Sequence, residues 1–195
     1  MKAAVFLDRD GTIIEDVGYL VRLDQIAFFP WSVDAIRAFN QAGLTVVVIT
    51  NQSAVARGYI TEAFVDETHR AIDARLEAGG ARIDAYYHCP HHPDGTIDSY
   101  ARVCECRKPA SGMIDRAVRD LELDPARSFF VGDTWLDVGA GRAAGTRTIL
   151  IRRQPGAREA PPPADLSADV IVDNLAAAAS WILMTRESET LTSEL

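Results

Sequence analysis

Lysine is almost missing from this chain: of 20 Lys and Arg residues, only Lys2 and Lys108 are lysine. Positive charge as a whole is short. Against 28 Asp and Glu the formal net charge is −8 at pH 7, which makes nucleic acid and anionic membrane surfaces poor partners. An anionic substrate would therefore need locally concentrated positive charge. Cysteine is scarce and odd in number, three in 195 residues, which argues against a disulfide framework. No basic-then-apolar opening marks a signal peptide, and no apolar run approaches the ~20 residues that span a bilayer. Internal repeats are also lacking. These absences point to a cytoplasmic protein with neither nucleic-acid nor membrane partners. What remains is ordinary globular composition, 48% hydrophobic and 25% charged, in a chain long enough for one domain with a real core. We expect a single domain over residues 1–185, a frayed tail over 186–195, and a monomer.

Strands and helices alternate. Apolar runs at 3–7, 44–50, 83–88, 128–131, 147–151 and 168–172 read as strands. Stretches at 33–41, 62–77, 112–123, 136–144 and 175–184 read as helices. Ser32 and Thr61 are expected as N-caps, Ser111 sits near a third helix start, and Gly43 and Gly79-Gly80 act as stops. Residues 155–165 form a Pro- and Ala-rich loop. The alternation predicts a doubly wound α/β domain with a mainly parallel sheet. Two segments, 11–30 and 89–109, break it. Both follow strands, so both should lie over the C-terminal end of the sheet, where open α/β folds bind ligands.

Three strand ends carry polar chemistry. The first delivers Asp8 and Asp10 onto Gly11-Thr12; the second ends at Thr50, followed by Asn51-Gln52-Ser53; a later one ends at Gly132-Asp133, with Asp137 four residues on. Each alone also fits a surface turn, and Asp133 also fits a plain helix cap. Together at one end of one sheet, they can hold a hard cation through oxygen. One acid can attack phosphorus while another handles the proton.

The segment 89–109 gathers all three cysteines and two of four histidines: Cys89-Pro-His91-His92, then Cys104-Glu-Cys106-Arg107-Lys108. Three Cys with one His is a closed structural zinc set, with either His91 or His92 as the fourth ligand. Buried or free thiols are the bland alternative. Bound zinc would fix a twenty-residue loop and aim Arg107 and Lys108.

Asp8-x-Asp10-Gly-Thr, Thr50, Lys108 and Gly132-Asp133-x-x-x-Asp137, in this order, resemble the haloacid dehalogenase superfamily. The resemblance implies Asp8 as nucleophile, Asp10 as acid then base, and Thr50 and Lys108 as holders of the phosphoryl oxygens. It also implies Mg²⁺ on Asp8, the Asp10 backbone carbonyl and Asp133, with Asp137 supporting. Cys-Pro-His-His-Pro-x-Gly and Cys-x-Cys-Arg-Lys-Pro resemble the branch holding histidinol-phosphate and heptose bisphosphate phosphatases. That branch implies structural Zn²⁺ on Cys89, His91, Cys104 and Cys106, no large cap domain, and a small phosphorylated metabolite as substrate. The stretch from Asn51 to Gly58, with Gly18-Tyr19, is similar to its heptose members. Asp16, Gly18, Tyr19, Asn51, Gln52, Ser53, Arg57 and Arg107 are then expected to line the substrate. Two positions depart from the heptose pattern. Ala54 replaces a glycine, which would restrict the backbone near substrate. Thr134 replaces a lysine, which removes a cation. Histidinol phosphate is the alternative substrate, and a phospho-receiver domain the non-enzymatic alternative.

Overall fold

The computed structural model describes residues 1–152 and 163–193. Its centre is one sheet of six strands in the order β3-β2-β1-β4-β5-β6. The strands are β1 (Ala4–Leu7), β2 (Thr45–Asn51), β3 (Ala85–Cys89), β4 (Phe129–Gly132), β5 (Arg147–Ile151) and β6 (Val170–Val172). Every neighbouring pair is parallel. Successive side chains of a strand alternate faces, and here both faces are apolar. Val5, Leu7, Val46, Val48, Phe129 and Val131 pack into one layer with α1 (Ser32–Gln41), α3 (Glu62–Ala78) and α6 (Leu175–Ser193). Ala4, Phe6, Val47, Ile49 and Phe130 pack into the other with α4 (Gly112–Leu121) and α5 (Trp135–Ala143). Burial on both sides explains why these strands read as continuous apolar runs. Among the described residues no cap domain is inserted, and no helix is long and apolar enough to cross a membrane.

The strand order places β1 between β2 and β4, so the chain turns back on itself beside β1. Such a topological switch point opens a crevice beyond the strands' C-terminal ends. Asp8 leaves β1 and Asp133 leaves β4 at that crevice.

Several local readings change. Trp31, not Ser32, is the N-cap of α1; the Ser32 hydroxyl is buried and donates to the Ile13 carbonyl at 2.7 Å, tying the helix to the loop after β1. Thr61 does cap α3, its Oγ1 accepting from Phe64 N. Ser111 caps α4 by position only, its hydroxyl donating instead to Asp115. Residues 53–56, outside every strand and helix expected from the sequence, form the short helix α2 (Ser53–Ala56). The helix expected to end near residue 184 continues to Ser193. No Gly or Pro interrupts that stretch, and Arg186 Nη1 donates to the Ala42 carbonyl at 2.9 Å. Most of the Pro- and Ala-rich loop, residues 155–162, lies outside the described residues.

Candidate active site

Asp8 is buried at the end of β1, with Arg9 N at 2.7 Å and Lys108 Nζ at 2.8 Å, both on Oδ1. Among the described residues no hydrogen bond reaches Oδ2. Carboxylate oxygens of Asp8, Asp133 and Asp137 lie within 4.8 Å of one another, and all three residues are buried. Burial pushes the Asp8 carboxyl well above its ordinary range; Lys108 opposes the rise, while Asp137, Asp133 and Asp10 add to it. The packing leaves little choice of residue beside them. Gly11 has φ +87°, and a β-carbon there would run into the Asp133 carboxylate. A β-carbon on Gly132 would run into that of Asp137.

Lys108 is only 3% exposed, and its Nζ meets three acceptors: Ile49 O at 2.8 Å, Asp8 Oδ1 at 2.8 Å and Asp137 Oδ1 at 2.6 Å. The first is a hydrogen bond and the other two are ion pairs. Burial alone would lower its pKa, but Asp137 and Asp8 carry it above the ordinary lysine value. The other Asp137 oxygen accepts from Thr134 N at 3.0 Å and Thr134 Oγ1 at 2.5 Å. Thr134 is thus the N-cap of α5 in a reciprocal capping box with Asp137. Where the sequence suggested only a lost cation, the hydroxyl fixes the carboxylate that orients Lys108. Asp133 is not the cap.

Asp10 is held differently. The Arg9 guanidinium, 2% exposed as a residue, grips its carboxylate through Nε and Nη2 at 2.9–3.2 Å. Gln52 Nε2 bridges Asp10 Oδ2 at 3.0 Å and Thr50 Oγ1 at 2.8 Å. The Asp10 side chain is not part of the three-carboxylate cluster. Sequence reasoning missed Arg9, which sits between the two acids. It also cast Asn51 and Gln52 as substrate contacts. In this structure the Asn51 amide grips the Lys108 backbone both ways: Nδ2 donates to Lys108 O at 3.2 Å, and Oδ1 accepts from Lys108 N at 3.1 Å.

The remaining expected contacts form a rim. Tyr19 and Tyr59 meet edge to face, ring centres 5.1 Å apart, joining the loop after β1 to the loop after β2. Asp16 accepts from Gly18 N at 2.9 Å, and Gly18 takes φ +79°. Ser53 opens α2, and Ala54 lies inside it, so helical backbone there accommodates the β-carbon and glycine is not required. Arg57 follows α2; its Nε is buried with no hydrogen-bond partner among the described residues. Arg107 Nη1 donates to the His91 carbonyl at 3.3 Å.

In the loop after β3, Cys89, His91, Cys104 and Cys106 converge. The Cys89 Sγ lies 3.7 Å from His91 Nδ1, 3.5 Å from Cys104 Sγ and 3.2 Å from Cys106 Sγ; Cys106 Sγ lies 3.1 Å from Cys104 Sγ and 3.3 Å from His91 Nδ1. A tetrahedral ion with Zn–S near 2.3 Å spaces its sulfurs by about 3.8 Å, so the set fits zinc with slight expansion. His92 is outside the set, its Nδ1 accepting from Asp94 N. Burial and the other sulfurs push the Cys89 thiol pKa up.

Residues 105–178 match the family model of HAD-hydrolase-like proteins. A D-glycero-beta-D-manno-heptose-1,7-bisphosphate 7-phosphatase of Salmonella typhi is 40% identical over 175 residues, 89% of this chain and 91% of its own. A D,D-heptose 1,7-bisphosphate phosphatase from B. bronchiseptica, solved with magnesium and phosphate, superposes with a TM-score of 0.80 at 32% identity, covering 95% of this chain and 99% of that one. A HAD-like phosphatase structure from Mesorhizobium loti gives 0.79 at 32% identity, covering 93% and 86%. With its acid-bearing switch point and this similarity over nearly the whole chain, the protein belongs to the HAD-like hydrolases, in the branch of the heptose bisphosphate phosphatases.

Proposed function

We propose that this protein is a Mg²⁺-dependent phosphomonoesterase of a small phosphorylated sugar, removing the 7-phosphate of D-glycero-D-manno-heptose 1,7-bisphosphate. The observation that carries the proposal is Asp8: a buried carboxylate with one oxygen pinned by Lys108 and one open, at the switch point of a chain 40% identical to a phosphatase of that name.

The Asp8, Asp133 and Asp137 cluster supplies hard oxygen donors with one lysine among them, which suits a hard divalent cation. The Asp10 backbone carbonyl, expected as a further ligand, belongs to the same turn. Bound Mg²⁺ would offset the repulsion between the Asp8 carboxylate and an incoming phosphate. The rest is done by side chains. Asp8 Oδ2 attacks phosphorus, and the bond from phosphorus to the sugar oxygen breaks. Asp10, aimed by Arg9 and Gln52, gives a proton to that leaving oxygen. Asp10 then takes a proton from water as the water attacks the aspartyl phosphate, releasing inorganic phosphate and restoring Asp8. Lys108, ion-paired to Asp8 and Asp137, contributes positive charge beside the phosphoryl oxygens. Thr50, whose Oγ1 accepts from Gln52, has its hydroxyl proton for a phosphoryl oxygen.

Zn²⁺ on Cys89, His91, Cys104 and Cys106 would make the loop's shape permanent. Metal on His91 Nδ1 would leave the proton on Nε2, where it would conflict with the exposed Arg102 guanidinium, now 2.7 Å from Nε2. Arg57, with its buried unpartnered Nε, and Arg107 are the cations for the sugar side and its second phosphate.

Phosphate release from a substrate panel tests the proposal. Protein given Mg²⁺ should hydrolyse heptose bisphosphate with a higher kcat/KM than histidinol phosphate, and chelation should stop turnover until Mg²⁺ returns. Preference for histidinol phosphate overturns the substrate; no Mg²⁺-dependent release from any phosphomonoester overturns the reaction.

A further inference from the structure

A second side-chain cluster lies on the opposite sheet face from the cysteine loop's packing. Asp66 and His69 are three residues apart on α3, so they share one face of that helix. His88 is on β3, at the sheet's edge. Side chains alternate along a strand, so His88 projects with Tyr86 toward α3 while Cys89 projects away. One ligand atom from each of Asp66, His69 and His88 lies within 4.8 Å of the others.

His69 is the informative member. It is 6% exposed and stacks on Tyr86 with ring centres 4.2 Å apart, yet its buried Nε2 has no hydrogen-bond partner among the described residues. A buried polar atom without a partner is costly and calls for an explanation. Around it the groups are arranged as at a metal centre. Glu62 Oε2 lies 2.9 Å from His88 Nε2, the carboxylate–histidine pairing that fixes the tautomer of a ligating imidazole. The other Glu62 oxygen accepts from Tyr100 OH at 2.6 Å, so the carboxylate is held in place. Arg9 is the cation whose field reaches His69, and its guanidinium is engaged by Asp10. Two carboxylates, Glu62 and Asp66, stand against it from α3.

We propose that Asp66, His69 and His88 form a binding site for a borderline divalent cation, Zn²⁺ first, joining α3 to the edge strand. Two imidazoles and one carboxylate suit Zn²⁺, Ni²⁺ or Co²⁺ better than Mg²⁺ or Ca²⁺. Three protein ligands would leave room for water as a fourth. No group of the proposed phosphatase mechanism is used.

Zinc counting tests the site. Full-length protein is loaded with Zn²⁺ in saturating Mg²⁺, desalted and analysed for bound zinc, then titrated with Zn²⁺ by calorimetry. Wild type should hold one equivalent more than His69→Ala. The difference between the two reads this site alone, whatever the cysteine loop holds, so it stands apart from the proposed function. Because His69 is buried, Asp66→Asn serves as the exposed variant that keeps the fold. It should weaken the extra site by at least about tenfold. Equal zinc content and equal calorimetric affinity in all three proteins would overturn the proposal.

Discussion

Lys108 is gripped by two unlike constructions. Toward the sheet it meets the carboxylate pocket, where each group is held by another protein group: Asp137 by the Thr134 cap, Asp10 by Arg9 and Gln52, the Lys108 backbone by Asn51. Toward the surface it continues the cysteine loop, where ligand atoms of four residues lie within 4.8 Å of one another. The pocket's shape belongs to the parallel sheet and its helix caps, and so exists before any ligand arrives. On the proposed reading, an ion bound by Cys89, His91, Cys104 and Cys106 would complete the loop's shape. Damage to the first should therefore register in turnover with the fold intact. Damage to the second should register in stability and reach turnover only through Lys108.

The sharpest way to break this comparison is Asp8→Asn. It keeps the shape and removes the attacking group, so kcat should fall on the order of 10⁴-fold or more. The melting temperature should not fall much, because the change removes a charge that burial and the neighbouring acids disfavour, while Lys108 keeps Asp137 as its partner. A large drop in melting temperature would mean that pocket and loop are not separable in this way.

Cys106→Ser is the counterpart. Losing one ligand of a closed zinc set should remove about 3 kcal/mol or more, roughly 6–12 °C in melting temperature for a chain of this size. Turnover should fall less than in Asp8→Asn, because Asn51 still grips the Lys108 backbone from β2. Elemental analysis of protein purified without chelator or metal-binding tag should find zinc in wild type and less in the variant. Unchanged stability would remove zinc from the account.

Arg57→Ala probes the rim. A charge-assisted contact is worth roughly 1.5–3 kcal/mol, so KM for heptose bisphosphate should rise about ten- to a hundredfold, and much less for a monophosphate. Equal rises for both substrates would take Arg57 off the second phosphate.

The smallest effect belongs to Gln52→Ala. Losing one orienting amide on Asp10 should lower kcat by roughly fivefold, from about 1 kcal/mol of hydrogen bonding, with little change in KM. A change confined to KM would return Gln52 to the substrate contacts expected from sequence.

The sheet was legible because strands buried on both faces read as unbroken apolar runs. The acids were legible because they stand where those runs stop. Lys108 was legible by scarcity, one internal lysine among 20 basic residues. What escaped was held by contacts between distant segments. Arg9 looks like a spacer between two acids, and its burial depends on packing that no local pattern encodes. Asn51 and Gln52 carry side chains as suited to a substrate as to a neighbour, and only the fold brings Lys108 and Asp10 within their reach. Thr134 was read by what it replaced rather than by the capping box it makes with Asp137 three residues on. Helix α2 spans four residues, too few for a helical period to show.

The most direct test of the central claim, that Asp8 is the reacting group of a preformed pocket, is to trap it. Protein quenched during turnover of heptose bisphosphate with Mg²⁺, then reduced with borohydride, should carry homoserine at position 8 in peptide mass spectra, and only when both substrate and Mg²⁺ were present. Steady phosphate release with position 8 unaltered, or with the label at another residue, would contradict the account.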